Sequence, residues 1–169
     1  MKNKSLYIFS ILVLFVCAVC NAQNNLISKK VLKNLLGSWQ GTLTYLDYSS
    51  GRPYTMPADL EIRKLSKTKF VFSNIYPNEP NANSMDTVVI SQDGKYINGE
   101  LIKSKRKLSN REIEIITEEL GNDGNDNKAA TFRHTYSFGK NFYKKRKDVQ
   151  FTGDTKWINR HEYLYKRKN

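Results

Sequence analysis

Apolar positions along the chain follow two different periods. Ile27, Val31, Leu32, Leu35 and Leu36 recur at helical spacing, and from Ser38 onward hydrophobic and polar residues mostly alternate. The first stretch predicts one short amphipathic helix between Leu26 and Leu36, with Asn25 or Ser28 available as its cap and Gly37 as its stop. The remainder predicts strands over Ser38–Tyr48, Tyr54–Leu65, Lys69–Tyr76, Met85–Gln92, Lys95–Lys107, Glu112–Glu119, Lys128–Phe138, Phe142–Thr152 and Trp157–Lys166. Turn residues separate them. Asp93-Gly94 is the strongest hairpin signal, and most other connections are short enough for successive strands to pair antiparallel.

Strands at this spacing, with no helix long enough for a parallel crossover, predict an all-β fold. The expected form is an up-and-down antiparallel barrel of eight to ten strands after the short helix, because closure removes exposed edges. A two-sheet sandwich is the rival arrangement. With no internal repeat, linker or low-complexity tail, residues 23–169 read as one domain.

The first 22 residues have another character. Lys2 and Lys4 precede an apolar run from Leu6 to Val19, and small residues at Cys20 and Ala22 stand before Gln23. This reads as a secretory signal removed after Ala22, with an apolar run too short to span a bilayer; an uncleaved amphipathic anchor is the competing reading. Cys17 and Cys20 spell C-x-x-C, but cleavage discards both, so the mature chain carries no thiol. Lipid attachment at Cys20 fits poorly because Val19 stands where a small residue is needed. The expected destination is the periplasm or the exterior.

Charge adds a second expectation. The full chain is +12, and loss of Lys2 and Lys4 leaves +10. Such a balance favours anionic partners and hardly constrains the fold.

At the helix-to-strand junction the chain reads Leu36-Gly37-Ser38-Trp39-Gln40-Gly41-Thr42, a G-x-W at the start of the first strand. This resembles the opening motif of lipocalin-like, or calycin, barrels, and the short helix and following meander resemble their layout, with secreted bacterial lipocalin-like domains as the nearest likeness. The resemblance implies that Trp39 closes the barrel floor under an arginine from the last strand. Arg167 fits if the last strand runs opposite to the first, and Arg160 fits if the strand count is nine.

Alternation also predicts what faces inward. Trp39, Leu43 and Tyr45 share a face of the first strand; Phe132, His134, Tyr136 and Phe138 share a face of the seventh; Leu60 and Ile62, Phe70 and Phe72, and Tyr163 with Tyr165 are further inward candidates. An interior of this width either fills with side chains or holds one small ligand. Buried tyrosine hydroxyls need partners, which favours a ligand with a polar tip. His134 is read either as a neutral core histidine or as a ligand contact or haem-iron ligand. No spacing around His134 or His161 resembles a zinc site, the Asn122–Asn127 tip lacks the pattern of a calcium loop, and no motif calls for a cofactor.

Three basic runs, Lys103, Lys105, Arg106 and Lys107, then Lys144, Lys145, Arg146 and Lys147, then Lys166, Arg167 and Lys168, are expected to gather at one rim, opposite an acidic tip. That rim would steer an anionic ligand inward or contact acidic envelope lipid or glycan; nucleic acid is disfavoured for an exported protein. No catalytic signature is found, which lowers the odds of an enzyme. The leading expectation is an exported protein that binds a small apolar or amphipathic molecule, anionic ones included, in the barrel. The alternative is a structural or interaction protein with a filled core.

Overall fold

The structure, a computed structural model, describes residues 25–108 and 112–168. The leader read from residues 1–22, with both cysteines, lies outside the described residues. The elements are α1 (Lys29–Lys33), β1 (Gly37–Asp47), β2 (Arg52–Pro57), β3 (Asp59–Lys64), β4 (Lys69–Ile75), a 3-10 turn (Pro80–Ala82), β5 (Ser84–Val89), β6 (Tyr96–Ile97), β7 (Glu100–Lys107), β8 (Ile113–Asp123), β9 (Lys128–Phe138), β10 (Phe142–Phe151) and β11 (Ile158–Arg167).

Ten strands form one antiparallel sheet in the order β5-β4-β3-β1-β11-β10-β9-β8-β7-β6, with β2 paired to the far half of β1. The two ends approach through a bridge between Ile90 and Ile97. Val89 and Asn98 add two hydrogen bonds of 2.8 Å, one from the Asn98 N–H to the Val89 carbonyl and one from the Val89 N–H to Asn98 Oδ1. The sheet is therefore a nearly closed barrel and not a sandwich. Among the described residues β5 forms no ladder with β6 or β7 beyond this clasp, which leaves a slot in the hydrogen-bonded wall, one edge of it met by Asn25 bonded to Lys103 and Lys105.

Two expected strands are each divided. Tyr54–Leu65 becomes β2 and β3, both laid against β1, because Ala58 is fully buried and turns its N–H to the Gly41 carbonyl at 2.9 Å. Lys95–Lys107 becomes β6 and β7, reversed at Asn98-Gly99, where both residues have positive φ (54° and 86°). Asn-Gly is the sequence a two-residue hairpin with those angles requires. Because β2 and β3 run the same way against β1, this extra reversal leaves ten alternating passes, so β11 runs antiparallel to β1 and pairs Arg167 with Trp39.

The helix is shorter than expected because its flanks have other work. Ile27 donates its N–H to Gly94 in the Asp93-Gly94 hairpin at 2.9 Å, which holds Leu26 and Ile27 extended; Ser28 then caps α1 by accepting from the Lys30 N–H. Ile27, Leu32 and Leu35 are buried against Trp39, Phe70 and Ile62 and plug one end of the barrel. Trp39 is 1% exposed and donates Nε1–H to the Leu35 carbonyl at 2.8 Å. The Arg167 guanidinium lies 4.2 Å from the Trp39 ring and donates to the carbonyls of Asn34 and Leu36, which end the helix. The Trp–Arg contact implied by the resemblance is present, with Arg167 as its arginine.

Candidate functional site

Strand register decides which side chains meet inside. Tyr136 on β9, Lys145 on β10 and Tyr163 on β11 are direct cross-strand partners, as are Phe138, Tyr143 and Tyr165 one step nearer the floor. Their rings form a stacked ladder running Tyr136, Phe138, Tyr143, Tyr165, Tyr163, with centroids 5.7 to 6.3 Å apart and planes within 12° of parallel. Each such contact is worth about 0.5–1.5 kcal/mol beyond the area it buries, so the ladder is a stiff wall.

This wall borders a cavity of about 400 Å³. Asn74, Asp86, Thr87 and Val88 face it from β4 and β5, and Ile97 and Asn98 from the clasp, so the cavity lies beside the slot. The volume falls within the range of small-molecule sites. Asn74 is held there by hydrogen bonds from its amide to Ser84 Oγ (3.0 Å) and Asp86 Oδ2 (2.9 Å).

The cavity's polar groups are mostly donors. Burial pushes the phenols of Tyr136, Tyr143, Tyr163 and Tyr165 well above their usual range, so all four keep their protons. Tyr163 Oη shares a hydrogen bond of 2.9 Å with Tyr76, whereas the Tyr143 and Tyr165 hydroxyls bond to no other described residue. Lys145, which also lines the cavity, makes no hydrogen bond and no ion pair among the described residues. Burial lowers its amine; Asp86 and Glu100 oppose that shift, and Lys147 reinforces it. His161, diagonal to Lys145 on β11, is pushed down to about 3 by burial and then by the charges of Lys145 and Lys147, so its ring is neutral at pH 7.

A second polar group lies farther from the floor. His134 Nδ1 stands 2.9 Å from Glu100 Oε2, and the Thr117 hydroxyl donates to the same oxygen. Burial alone would raise Glu100, but the bonds from His134 and Thr117, with the charges of His134 and Lys145, outweigh it and hold the carboxyl below its ordinary 4.5. The carboxylate accepts, so Nδ1 carries the hydrogen. Glu119 brings a further oxygen, and the three donor atoms lie within 4.8 Å of one another. A cation placed here would displace the His134–Glu100 hydrogen bond.

The predicted interior residues separate into groups. Leu60, Phe72, Tyr136, Phe138 and Tyr163 line the cavity. Trp39, Ile62 and Phe70 pack the floor beneath it, and Leu43 and Tyr45 join Met56, Ala58 and Tyr76 in a separate apolar cluster. Phe132 belongs to a third cluster and lies under the Lys147 ammonium, 3.6 Å from its ring centroid. His134 is buried in the barrel wall but is bound to Glu100 and does not border the cavity. The cavity lining not anticipated from sequence is chiefly Asn74, Asp86, Tyr143, Lys145 and His161.

The basic runs need correction. Lys144 to Lys147 lie along β10 and alternate: Lys145 and Lys147 face inward, Lys144 pairs outside with Glu162 at 3.6 Å, and Arg146 is bound to Asp148 at 2.6 Å. Lys103 lies midway along β7, whereas Lys105, Arg106, Lys107, Lys166, Arg167 and Lys168 do gather at one end. That end is the floor closed by α1 and Trp39, so its charge surrounds the plug and not the opening. Lys105 reaches the Leu26 carbonyl at 2.6 Å, and Arg106 is engaged by Glu114 at 2.7 Å.

No protein-family model and no curated protein matches the chain. Among solved structures it is similar to the crystal structure of Rv2717c from M. tuberculosis, at 12% identity and a TM-score of 0.56, over 85% of this chain and 99% of that one. At that identity the likeness concerns the fold, a barrel of the same general form.

Proposed function

We propose that the protein is an exported carrier or sensor that holds one small amphipathic molecule in the barrel, its flat apolar part against the tyrosine ladder and an oxygen-bearing end at Lys145. The observation that carries this reading is the cavity of about 400 Å³, where two tyrosine hydroxyls and the Lys145 amine have no partner among the described residues. No fully buried side-chain nitrogen or oxygen among the described residues lacks a partner, so these three donors stay open to the cavity, where a ligand's acceptor oxygens can meet them. The slot beside the Asn98 clasp supplies the path in, through the wall and away from the basic floor.

Resemblance to lipocalin-like barrels fits this reading, as does the Trp39–Arg167 floor. Titration of an anionic naphthalene dye by fluorescence tests it. One saturable site per chain is expected, lost when Val88→Trp fills the cavity. Equal dye binding by that variant would contradict the reading.

The anionic envelope lipid or glycan remains a proposal for a different surface. Lys107, Lys166 and Lys168 stand exposed around the floor and provide the charge for it.

A further inference from the structure

We infer that Lys145 binds an aldehyde or ketone ligand covalently and reversibly, as an imine formed inside the barrel. This rests on the reading of the cavity as a ligand site and goes beyond it by naming the ligand's reactive group.

The argument starts from what surrounds the side chain. Lys145 leaves the middle of β10 toward the barrel axis, opposite Tyr136 on one neighbour and Tyr163 on the other. A cavity lysine kept for its charge is expected to meet a carboxylate. Asp86, which also borders the cavity, has an oxygen engaged by Asn74, Glu100 is engaged by His134 and Thr117, and neither forms an ion pair with Lys145. Desolvation is the first cause lowering this amine and Lys147 adds to it, while Asp86 from β5 and Glu100 from β7 oppose it. The net effect is a larger neutral fraction than at a surface lysine, and the neutral amine is the nucleophile.

The remaining chemistry is present around it. The nitrogen lone pair attacks the carbonyl carbon, the carbon–oxygen π pair moves to oxygen, and a proton passes from nitrogen to that oxygen to give a carbinolamine. Loss of the hydroxyl together with the remaining N–H proton, as water, then leaves C=N, with no oxidant or reductant consumed. The protonated tyrosine phenols that line the cavity donate hydrogen bonds to the carbonyl oxygen.

The test uses the protein from Gln23 onward with cinnamaldehyde and sodium cyanoborohydride, followed by intact-mass and peptide mapping. A single adduct is expected, on the peptide containing Lys145, forming several times faster than at the average surface lysine. Lys145→Arg keeps a cation and cannot form the imine, so it should lose the adduct while retaining cinnamate, followed by tyrosine fluorescence. Adducts spread evenly over surface lysines, or cinnamaldehyde bound but not trapped at Lys145, would overturn the inference. Cinnamate bound without any trapped aldehyde would overturn it and leave the container reading standing. Failure of both compounds to bind would overturn both.

Discussion

Lys145 and Glu100 are two ionisable groups inside one barrel, and their surroundings treat them differently. Glu100 is bound by His134 and Thr117, which hold its carboxyl below 4.5 in the folded chain. Its stabilising contribution is therefore complete above about pH 4.5, the unfolded value, and is lost as pH falls through the lower folded value. Glu100→Gln should cost about 1–3 kcal/mol near neutrality and flatten the acid limb of the stability curve below pH 4.5, measured by urea unfolding. A parallel limb in the variant would show that Glu100 does not carry the acid sensitivity. Lys145 lines the cavity and has no bonded partner among the described residues, which is what the proposed ligand contact requires.

At the scale of elements, the division between what was legible in the chain and what was not follows from period and distance. β9 was legible over its whole length because Phe132, His134, Tyr136 and Phe138 alternate cleanly with polar residues. β10 was not, because four consecutive basic residues hide the same alternation. Extending the period from Tyr143 and Val149, both buried, places Lys145 and Lys147 inside and was the available signal. The His134–Glu100 contact spans 34 positions and has no local trace. Asn98-Gly99 carried a hairpin signal inside an otherwise continuous strand pattern, and missing it left Arg160 and Arg167 as alternatives. No atom lies within 4 Å of where a Gly99 side chain would begin, so the strain in Gly99→Val comes from its φ of +86° alone. The substitution should cost about 1–2 kcal/mol and speed amide exchange at Val89 and Asn98, leaving β9 and β10 protected. Unchanged exchange at Val89 would mean that the clasp is held by something other than this turn.

Across the whole molecule, charge and cavity are arranged independently. The floor is basic, and the far end carries Glu118, Asp123 and Asp126 around the β8–β9 hairpin. Should the floor meet an anionic surface, each lysine there contributes about 1 kcal/mol at low salt, so replacing Lys107, Lys166 and Lys168 together with Ala should weaken vesicle binding roughly a hundredfold. Binding that ignores both this variant and added salt would remove the surface from consideration. The cavity opens elsewhere, and a ligand inside it needs no contact with that floor. Native mass spectrometry of the protein purified from its own host tests the container most directly. A discrete added mass of one small organic molecule per chain, released on unfolding and absent from Val88→Trp, is the result predicted. A bare chain that also fails to take up cinnamaldehyde, cinnamate or the naphthalene dye would contradict it.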